Sequence, residues 1–214
     1  RNCYDTCSII STTRNGRLVS IEGDPEHSYT RGKLCPKAMD EIHKVYHTQR
    51  VKYPMRQRKR FSGQWERITW DEALNTIAQQ ILTIKEKYGT TLPIALNKYS
   101  GNFGIMRNAW EGLLKGIGPT TRAIGSPCWS AGMDAQHFDF GVFFCSDPLD
   151  MEKAKLIWLW GVNPAWNAVH QMPIIFRAME KGAKVVSFDT HLSATAARAH
   201  EFVQVNPGTD GLLA

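Results

Sequence analysis

The sequence has no long apolar run, no repeat and no low-complexity segment. No hydrophobic stretch approaches the ~20 residues that span a bilayer, so we expect no direct insertion into a membrane. No secretory signal peptide is visible. The compartment, cytoplasmic or periplasmic, stays open because a twin-arginine signal would lie upstream of Arg1. With 214 residues, 43% of them hydrophobic and 21% charged, the chain is long and apolar enough to bury a core.

Two nucleotide-binding signatures are also missing. The sequence has no Gly-x-Gly-x-x-Gly and no Walker-type phosphate loop, which disfavours a standard NAD or ATP site. The net charge of +6 suits an anionic partner such as nucleic acid, a phosphate-rich cofactor or an acidic substrate. Basic residues gather in 52–60 without any nucleic-acid docking motif, so we interpret this run as a solvated, mobile loop and expect no nucleic-acid partner.

Cysteine is scarce, and its pattern points to a metal rather than to disulfides. Five cysteines in 214 residues are an odd number in a chain that is neither small nor rich in cysteine. Cys3 and Cys7 are close in sequence, and Cys35 follows in a Cys-Pro pair, which recurs in iron–sulfur sites. Three thiolates are one fewer than a zinc ion or a cubane cluster normally takes, and we expect the fourth upstream of Arg1. Spacing alone leaves iron–sulfur, zinc and unliganded thiols open.

The change from a loop-rich sequence to one with helix and strand patterns predicts two domains. Residues 1–60 form a loop-rich unit with one strand at 17–21, entered by a turn at 14–17, and a metal centre would supply the cross-link that its small core lacks. Residues 61–214 form an α/β domain. Its first helix has Thr69 as a candidate N-cap and ends at Gly89.

The second domain contains the pattern of a βαβ unit. Buried parallel strands are predicted at 155–161 and 183–189, with a helix at 173–181 between them. A short strand at 93–96 and a helix at 102–114 precede them. The predicted fold class is therefore a doubly wound, Rossmann-like α/β domain, whose ligand crevice lies at the carboxyl ends of the strands.

Candidate binding residues follow these strands. Gly161 and Asn163 come after the first strand, where glycine permits close backbone approach and asparagine offers both a donor and an acceptor. Asp189 follows the second strand, where nucleotide folds often bind a ribose or base edge. The turn at 206–211 is rich in backbone and hydroxyl donors. By themselves, all these residues are also ordinary turn residues.

Taken in order, several motifs resemble the molybdopterin oxidoreductases of the DMSO reductase-like type. The resemblance is carried by the following segments: Cys3 and Cys7, 21–27, 31–37, 50–55, 65–73, 160–164 and 206–210. The matches run from one end of the chain to the other in the order of the family. Together they favour iron–sulfur over zinc.

The resemblance implies two cofactors. One is a 4Fe-4S cluster held by four cysteines, of which Cys3, Cys7 and Cys35 match the second, third and fourth; the first would stand four residues before Cys3. The other is bis-molybdopterin guanine dinucleotide with molybdenum or tungsten. Lys37 matches a lysine between cluster and pterin, where an ammonium stabilises a negative cluster and hydrogen-bonds the pterin. The implied pterin-binding residues are Lys37, Gly161, Asn163, Asp189, Pro207, Gly208, Thr209 and Asp210.

Cys128 is the implied protein ligand of the molybdenum or tungsten. It lies in the segment 125–132, where the family places a serine, cysteine, selenocysteine or aspartate ligand. A thiolate suits a soft metal that dithiolenes also hold. We therefore take Cys128 and Lys37 as the candidate catalytic residues, and we interpret Cys145, in an apolar stretch, as a core residue.

The resemblance implies the N-terminal part of an oxidoreductase that passes electrons between the cluster and the metal–pterin centre. The expected partners are a small-molecule substrate, a ferredoxin-like iron–sulfur subunit and a membrane anchor subunit. One alternative is a non-catalytic electron-transfer or assembly subunit with a degenerate pterin domain. Another is a zinc-stabilised nucleic-acid binder.

Overall fold

The computed structural model describes Cys3 and residues 5–98, 104–125 and 130–214. Its internal contacts divide the described chain into two compact units. We call residues 46–143 the central unit, and residues 3–45 together with 144–214 the composite unit. These boundaries differ from the domain boundary at residue 60, which stays a prediction.

The N-terminal segment of the composite unit is a hairpin followed by loops and two short helices. Strands β1 (Ile9–Arg14) and β2 (Arg17–Gly23) pair antiparallel, which confirms the predicted strand. The turn uses Asn15 and Gly16, both with positive φ, as a two-residue hairpin of this type requires. Helices α1 (Pro36–Met39) and α2 (Glu41–Tyr46) follow.

The central unit begins with a second hairpin. Strands β3 (Met55–Gln57) and β4 (Trp65–Arg67) pair antiparallel. Arg56 and Arg58 both form ion pairs with Glu66 at 2.8 Å and 3.0 Å. The basic run at 52–60 is therefore not simply a solvated loop: part of it is a strand, and cross-strand ion pairs with Glu66 satisfy the charges of Arg56 and Arg58.

Helix α3 (Trp70–Tyr88) confirms the predicted first helix of the α/β region. Thr69 is its N-cap, with Oγ1 accepting a hydrogen bond from the backbone N–H of Glu72 at 3.1 Å. Gly89 ends it in the left-handed conformation, with φ of +65°. Within the described residues, no helix is both long and apolar enough to cross a membrane.

The rest of the central unit is a small α/β arrangement. Strand β5 (Ala95–Leu96), helix α4 (Ala109–Ile117) and strand β6 (Thr121–Arg122) follow, and β5 pairs parallel to β6. The helix predicted at 102–114 is found in part, since its described portion starts as a 3₁₀ turn at Ile105–Asn108. Helix α5 (Ser130–Phe140) was not predicted; its hydrophobic residues do not recur on one face.

The C-terminal segment of the composite unit contains a three-stranded parallel sheet of order β7-β8-β9. After a 3₁₀ helix at Pro148–Lys153, the elements are β7 (Leu156–Trp160), α6 (Pro164–Asn167), α7 (Gln171–Glu180), β8 (Lys184–Asp189), a 3₁₀ turn at Ala196–Arg198, β9 (Glu201–Gln204) and α8 (Asp210–Leu213). The predicted strand, helix and strand at 155–189 are confirmed. Strand β9 was not predicted.

The core of this sheet lies on one face. Ile157 and Leu159 of β7 and Val185 of β8 are buried against Met172, Ile175 and Ala178 of α7. On the other face of β7, Leu156 and Trp158 are exposed. The structure is thus a mixed α/β fold with a parallel sheet, and its doubly wound form stays a prediction.

Candidate functional site

The three N-terminal cysteines lie in the composite unit as partly buried free thiols. The Cys3 thiol donates a hydrogen bond to the carbonyl of Asn167 at 2.9 Å, and Cys7 Sγ lies 3.8 Å from Nδ1 of His170. Cys35 immediately precedes Pro36, the first residue of α1. Two of the three cysteines therefore contact the chain just before α7.

The thiols are electrostatic neighbours without forming a site for one metal ion. Among the described residues, no three His, Cys, Asp or Glu side chains are grouped closely enough to hold a single ion. Burial raises the pKa of the Cys7 thiol, and the negative charges of Asp5, Cys35 and Cys3 raise it further. In a cubane each thiolate binds a different iron atom, so the ligands stand farther apart than around one ion. This all-sulfur donor set therefore suits a cluster, whose binding would release the thiol protons.

Asp24 organises the loop between the hairpin and Cys35. Its carboxylate accepts hydrogen bonds from the hydroxyl of Ser8 and the backbone N–H of Glu26, both at 2.9 Å. Its own N–H donates to the carbonyl of Ser8 at 3.1 Å, and its carbonyl accepts from Gly32 at 2.9 Å. This network ties the residues after Cys7 to the residues before Cys35.

Gly23 permits the close packing of this loop. A Cβ atom at this position would lie 2.4 Å from the carbonyl oxygen of Gly32, which is well inside van der Waals contact. The glycine is therefore required by a close backbone approach, and the conformation of the loop depends on it.

A segment at 163–170, which we call the junction segment, leads from the end of β7 to the start of α7. It contacts the N-terminal segment at three positions. Lys37 Nζ donates to the carbonyl of Trp166. Cys3 bonds the carbonyl of Asn167, as above, and His170 bonds the carboxylate of Asp5. The residue predicted between cluster and pterin thus does contact the junction segment.

Asp5 and His170 were not predicted as site residues. Asp5 is 2% exposed, and its carboxylate accepts hydrogen bonds from the N–H of His170 at 3.1 Å and from the hydroxyl of Tyr29 at 3.2 Å. Burial and the charge of Asp5 raise the pKa of Tyr29. The one signal in the sequence is an aspartate between two cysteines, but a partner 165 residues away cannot be inferred from it.

Asn163 is held by a residue that the sequence analysis missed. Its Oδ1 accepts a hydrogen bond from the hydroxyl of Thr195 at 2.6 Å. The same hydroxyl accepts from the N–H of Ala165 at 3.0 Å, and Thr195 is only 1% exposed. Because Oδ1 is occupied, the Asn163 amide keeps its two N–H donors for another partner.

Gly161 and Asp189 lie at the carboxyl ends of β7 and β8, as predicted. Gly161 has φ of +60° and donates its N–H to the carbonyl of Phe188 at 2.8 Å. Asp189 Oδ1 accepts from the backbone N–H of Thr190 at 2.7 Å. No hydrogen bond within the described part of the chain reaches Asp189 Oδ2, which is thus free to accept one from a ligand.

The predicted turn after β9 is a type II turn. Pro207 and Gly208 are its central residues, Gly208 has φ of +81°, and Thr209 N–H donates to the carbonyl of Asn206 at 3.1 Å. Trp160 Nε1 donates to Asp210 Oδ1 at 2.7 Å, so the tryptophan that ends β7 holds the turn after β9. The ends of β7 and β9 are therefore connected directly.

The predictions for the two remaining cysteines, Cys128 and Cys145, have different outcomes. Cys128, the predicted metal ligand, lies outside the described residues. Cys145 was predicted to be a core residue, and this prediction is wrong because its side chain is exposed. The apolar stretch around it is a loop rather than a buried strand, and Phe144 is also exposed.

Two open pockets lie in the central unit, with volumes of about 420 and 600 Å³. Tyr53 and Trp70 line both of them, and the larger also includes Met55 and Trp65. No predicted site residue that the structure describes lines either pocket. We therefore assign no function to these pockets.

Comparison with known proteins identifies the family. The family model for the molybdopterin oxidoreductase Fe4S4 domain matches residues 1–47, and the model for molybdopterin oxidoreductase matches residues 50–214. The chain belongs to the molybdopterin oxidoreductase family. Its cysteine loops thus lie in the Fe4S4 domain of the family, and its parallel sheet lies in the molybdopterin oxidoreductase region.

Curated relatives that this chain matches are much longer than the chain itself. The chain is 33% identical over 213 residues to the probable oxidoreductase YyaE of Bacillus subtilis, covering 100% of this chain and 31% of the relative. It is 28% identical to the putative dimethyl sulfoxide reductase chain YnfE of Escherichia coli, covering 99% of this chain and 28% of the relative. The chain thus spans about a third of the length of these curated relatives.

A solved structure has the same fold. The acetylene hydratase of Pelobacter acetylenicus matches with a TM-score of 0.72 and 22% identity, over 99% of this chain and 29% of the hydratase. The likeness supports the mixed α/β architecture described above.

Proposed function

We propose that the chain is the N-terminal part of a molybdenum or tungsten oxidoreductase that uses bis-molybdopterin guanine dinucleotide. In this proposal, residues of the composite unit hold a 4Fe-4S cluster at one end of the junction segment and part of the pterin cofactor at the other. When bound, the cluster exchanges single electrons and the pterin-held metal supplies two-electron chemistry.

The observation that carries the proposal is the junction segment. It begins at Asn163, beyond the end of β7, and within seven residues contacts Cys3, the loop of Cys7, and Lys37. Asn163, which was predicted to bind the pterin, and the contacts with the proposed cluster-binding residues therefore lie on one short stretch of the chain. A short path between redox centres is what electron transfer through this chain requires.

At the cluster end, the proposed ligands are Cys3, Cys7 and Cys35. Lys37 supplies a positive charge two residues after the last of them, and its ammonium donates to a carbonyl of the junction segment. An ammonium at this position stabilises a negatively charged cluster and orients a pterin acceptor.

At the pterin end, each proposed group has a defined hydrogen-bonding role. Gly161 exposes backbone, since it has no side chain at a positive φ. Asn163 offers N–H donors, and Asp189 offers Oδ2 as an acceptor. The turn of Pro207, Gly208, Thr209 and Asp210 is fixed to β7 by Trp160. We propose that these groups bind the guanine dinucleotide arm and that Cys128 ligates the metal.

This region also occurs in proteins that are named for different reactions, which supports a role in cofactor binding rather than in substrate choice. One relative of this region is named a reductase chain, and a solved structure with this fold is named a hydratase. A region common to proteins named for different reactions serves what those proteins have in common. For the complete protein we propose a small-molecule substrate, a ferredoxin-like electron-transfer subunit and a membrane anchor subunit.

The test is the metal content of the complete protein, purified without oxygen. We expect iron together with molybdenum or tungsten, a guanine-containing pterin after denaturation, and a brown colour from thiolate-bound iron. Iron without molybdenum or tungsten would favour a non-catalytic electron-transfer subunit instead. Zinc without iron would overturn the proposal.

The ligand role of Cys128 is tested by X-ray absorption at the molybdenum or tungsten edge. Cys128→Ala should lower the number of sulfur neighbours of the metal and abolish or change turnover, while Cys128→Ser should be milder because a hydroxylate also serves as a ligand. Cys145→Ala is the matched control, since this exposed thiol should leave both readings unchanged. An unchanged sulfur count in Cys128→Ala would assign the ligand elsewhere.

A further inference from the structure

His170 is the last residue of the junction segment and lies at the start of α7. Its side chain is 9% exposed, and oxygen acceptors from two different cysteine loops face its two ring nitrogens. Nδ1 is 2.8 Å from a carboxylate oxygen of Asp5, and Nε2 is 3.0 Å from the carbonyl oxygen of Lys33. One imidazole ring therefore connects residues that are 165 and 137 positions away in the sequence.

The two partners of the His170 ring are both hydrogen-bond acceptors, and one of them is a buried carboxylate. A carboxylate and a carbonyl oxygen both act as hydrogen-bond acceptors, so each ring nitrogen of His170 faces an acceptor on a different loop. The Asp5 side chain is 3% exposed, and a carboxylate so buried requires a charged or hydrogen-bonding partner. His170 supplies two donors to it, through the ring and through the backbone N–H.

The two acceptors of the His170 ring lie close in sequence to the three N-terminal cysteines. Asp5 lies between Cys3 and Cys7, and Lys33 lies two residues before Cys35. Holding both acceptors on one rigid ring fixes the separation of the two cysteine loops. Nδ1 is also 3.8 Å from Cys7 Sγ, so the ring lies directly beside a proposed cluster ligand.

We infer that His170 is a positioning residue for the iron–sulfur cluster. It sets the distance between the loop of Cys3 and Cys7 and the loop of Cys35, and its ring lies 3.8 Å from Cys7 Sγ. This inference rests on the proposed function, because it takes the three cysteines as cluster ligands. The two-loop contact of His170 lies outside the apolar core of the parallel sheet, which other residues form.

The test replaces His170 in the complete protein and follows the cluster itself. His170→Gln keeps a similar length but has one nitrogen in place of two, so it cannot reproduce both contacts with the geometry of the ring. Loss of an outer-shell partner typically costs about 10–100-fold in metal affinity, so we expect iron loss to a chelator to be about tenfold faster. The midpoint potential of the cluster, measured by EPR during redox titration, should change, because the hydrogen bonds and solvent exposure around a cluster set its potential.

His43 provides a matched control. Its Nδ1 also lies 2.9 Å from a carboxylate oxygen, that of Asp40, but the histidine and aspartate side chains are 86% and 62% exposed, and neither hydrogen-bonds a cysteine within the described part of the chain. His43→Gln should therefore behave as the unmodified protein in both measurements. Asp5→Asn removes the charge of the other partner with little change of shape, and it should shift iron loss in the same direction as His170→Gln.

The outcomes separate this inference from the proposed function. An unmodified protein without iron would overturn the proposed function itself. An unmodified protein with a normal cluster, together with unchanged iron loss and midpoint potential in His170→Gln, would overturn only the positioning role. If His170→Gln loses the pterin as well as iron, Asp5→Asn decides: normal iron retention there overturns the role, and faster loss supports it.

Discussion

At the scale of single residues, the orientation of Asn163 depends on a buried neighbour. The hydroxyl of Thr195 both donates to Asn163 Oδ1 and accepts from the N–H of Ala165. Because the hydroxyl accepts a hydrogen bond from Ala165, its own proton is donated to the asparagine oxygen. The amide of Asn163 therefore has only one orientation, with its N–H groups turned away from Thr195. A side chain outside the predicted set thus determines what a proposed cofactor-binding residue presents to its ligand.

We predict that Thr195→Val destabilises the complete protein more than Thr195→Ser does. Valine keeps the volume of threonine but leaves the Asn163 oxygen and the Ala165 N–H without a partner, and a buried unsatisfied group costs about 1–3 kcal/mol. Serine keeps the hydroxyl and loses only one buried methyl group. The check is thermal unfolding together with pterin content. A serine variant less stable than the valine variant would show that packing rather than hydrogen bonding matters here.

At the scale of elements, the cysteine loops are shaped by close backbone contacts. The loop after β2 folds back so that Gly32 lies against Gly23, and Asp24 ties it to Ser8, next to Cys7. The hairpin and the loop thus form one structural element that places Cys7 and Cys35. This explains why a glycine ends β2, where a larger residue would have higher β-propensity.

We expect Gly23→Ala to weaken this element. The added methyl group would overlap the carbonyl of Gly32, and overpacking of this kind typically costs about 1–3 kcal/mol. Iron content should fall, and proteases should cleave within 24–34 more readily. Gly112→Ala is the control: it lies in α4 with open space around its Cα, so alanine should be neutral or stabilising there. Equal iron content in both variants would contradict the proposed role of the close contact.

At the scale of the whole molecule, the composite unit is assembled from two stretches separated by about a hundred residues. Its C-terminal stretch has an apolar core around β7, α7 and β8. Among the described residues of its N-terminal stretch, no hydrophobic side chain is buried, and the buried residues are Asp5 and Thr30, both polar. The two stretches should therefore differ in their dependence on a bound cluster.

Removing iron from the complete protein should loosen residues 3–45 before residues 144–214. A segment without an apolar core obtains much of its stability from a bound metal centre, whereas the parallel sheet has its own core. Hydrogen exchange followed by mass spectrometry, before and after chelation, measures this directly. Protection should be lost in 9–35 and largely kept in 157–186. Equal loss in both stretches would mean that the cluster stabilises the unit as a whole.

Local patterns explain which elements were predictable. The capped helix α3, the hairpin turn at Asn15 and Gly16, and strands β7 and β8 each have a periodicity, cap or turn residue in their own sequence. Strand β9 and helix α5 were missed, since β9 is short and α5 has no apolar face. Cys145 was wrongly predicted to be buried, because apolar neighbours in the sequence indicate burial only where other elements pack against them.

The sequence by itself identified the candidate ligand residues, the order of the family motifs and the turns that place Gly161, Asp189 and Gly208. Only the tertiary structure decided that Asp5 meets His170 and that Thr195 orients Asn163. These contacts join residues that are 165 and 32 positions apart. Helical and strand periodicities act over a few residues, so they encode local elements but not the partners of a buried polar group. Those partners are decided by folding, since a buried carboxylate or amide is stable only where the packed chain brings it a hydrogen-bonding partner.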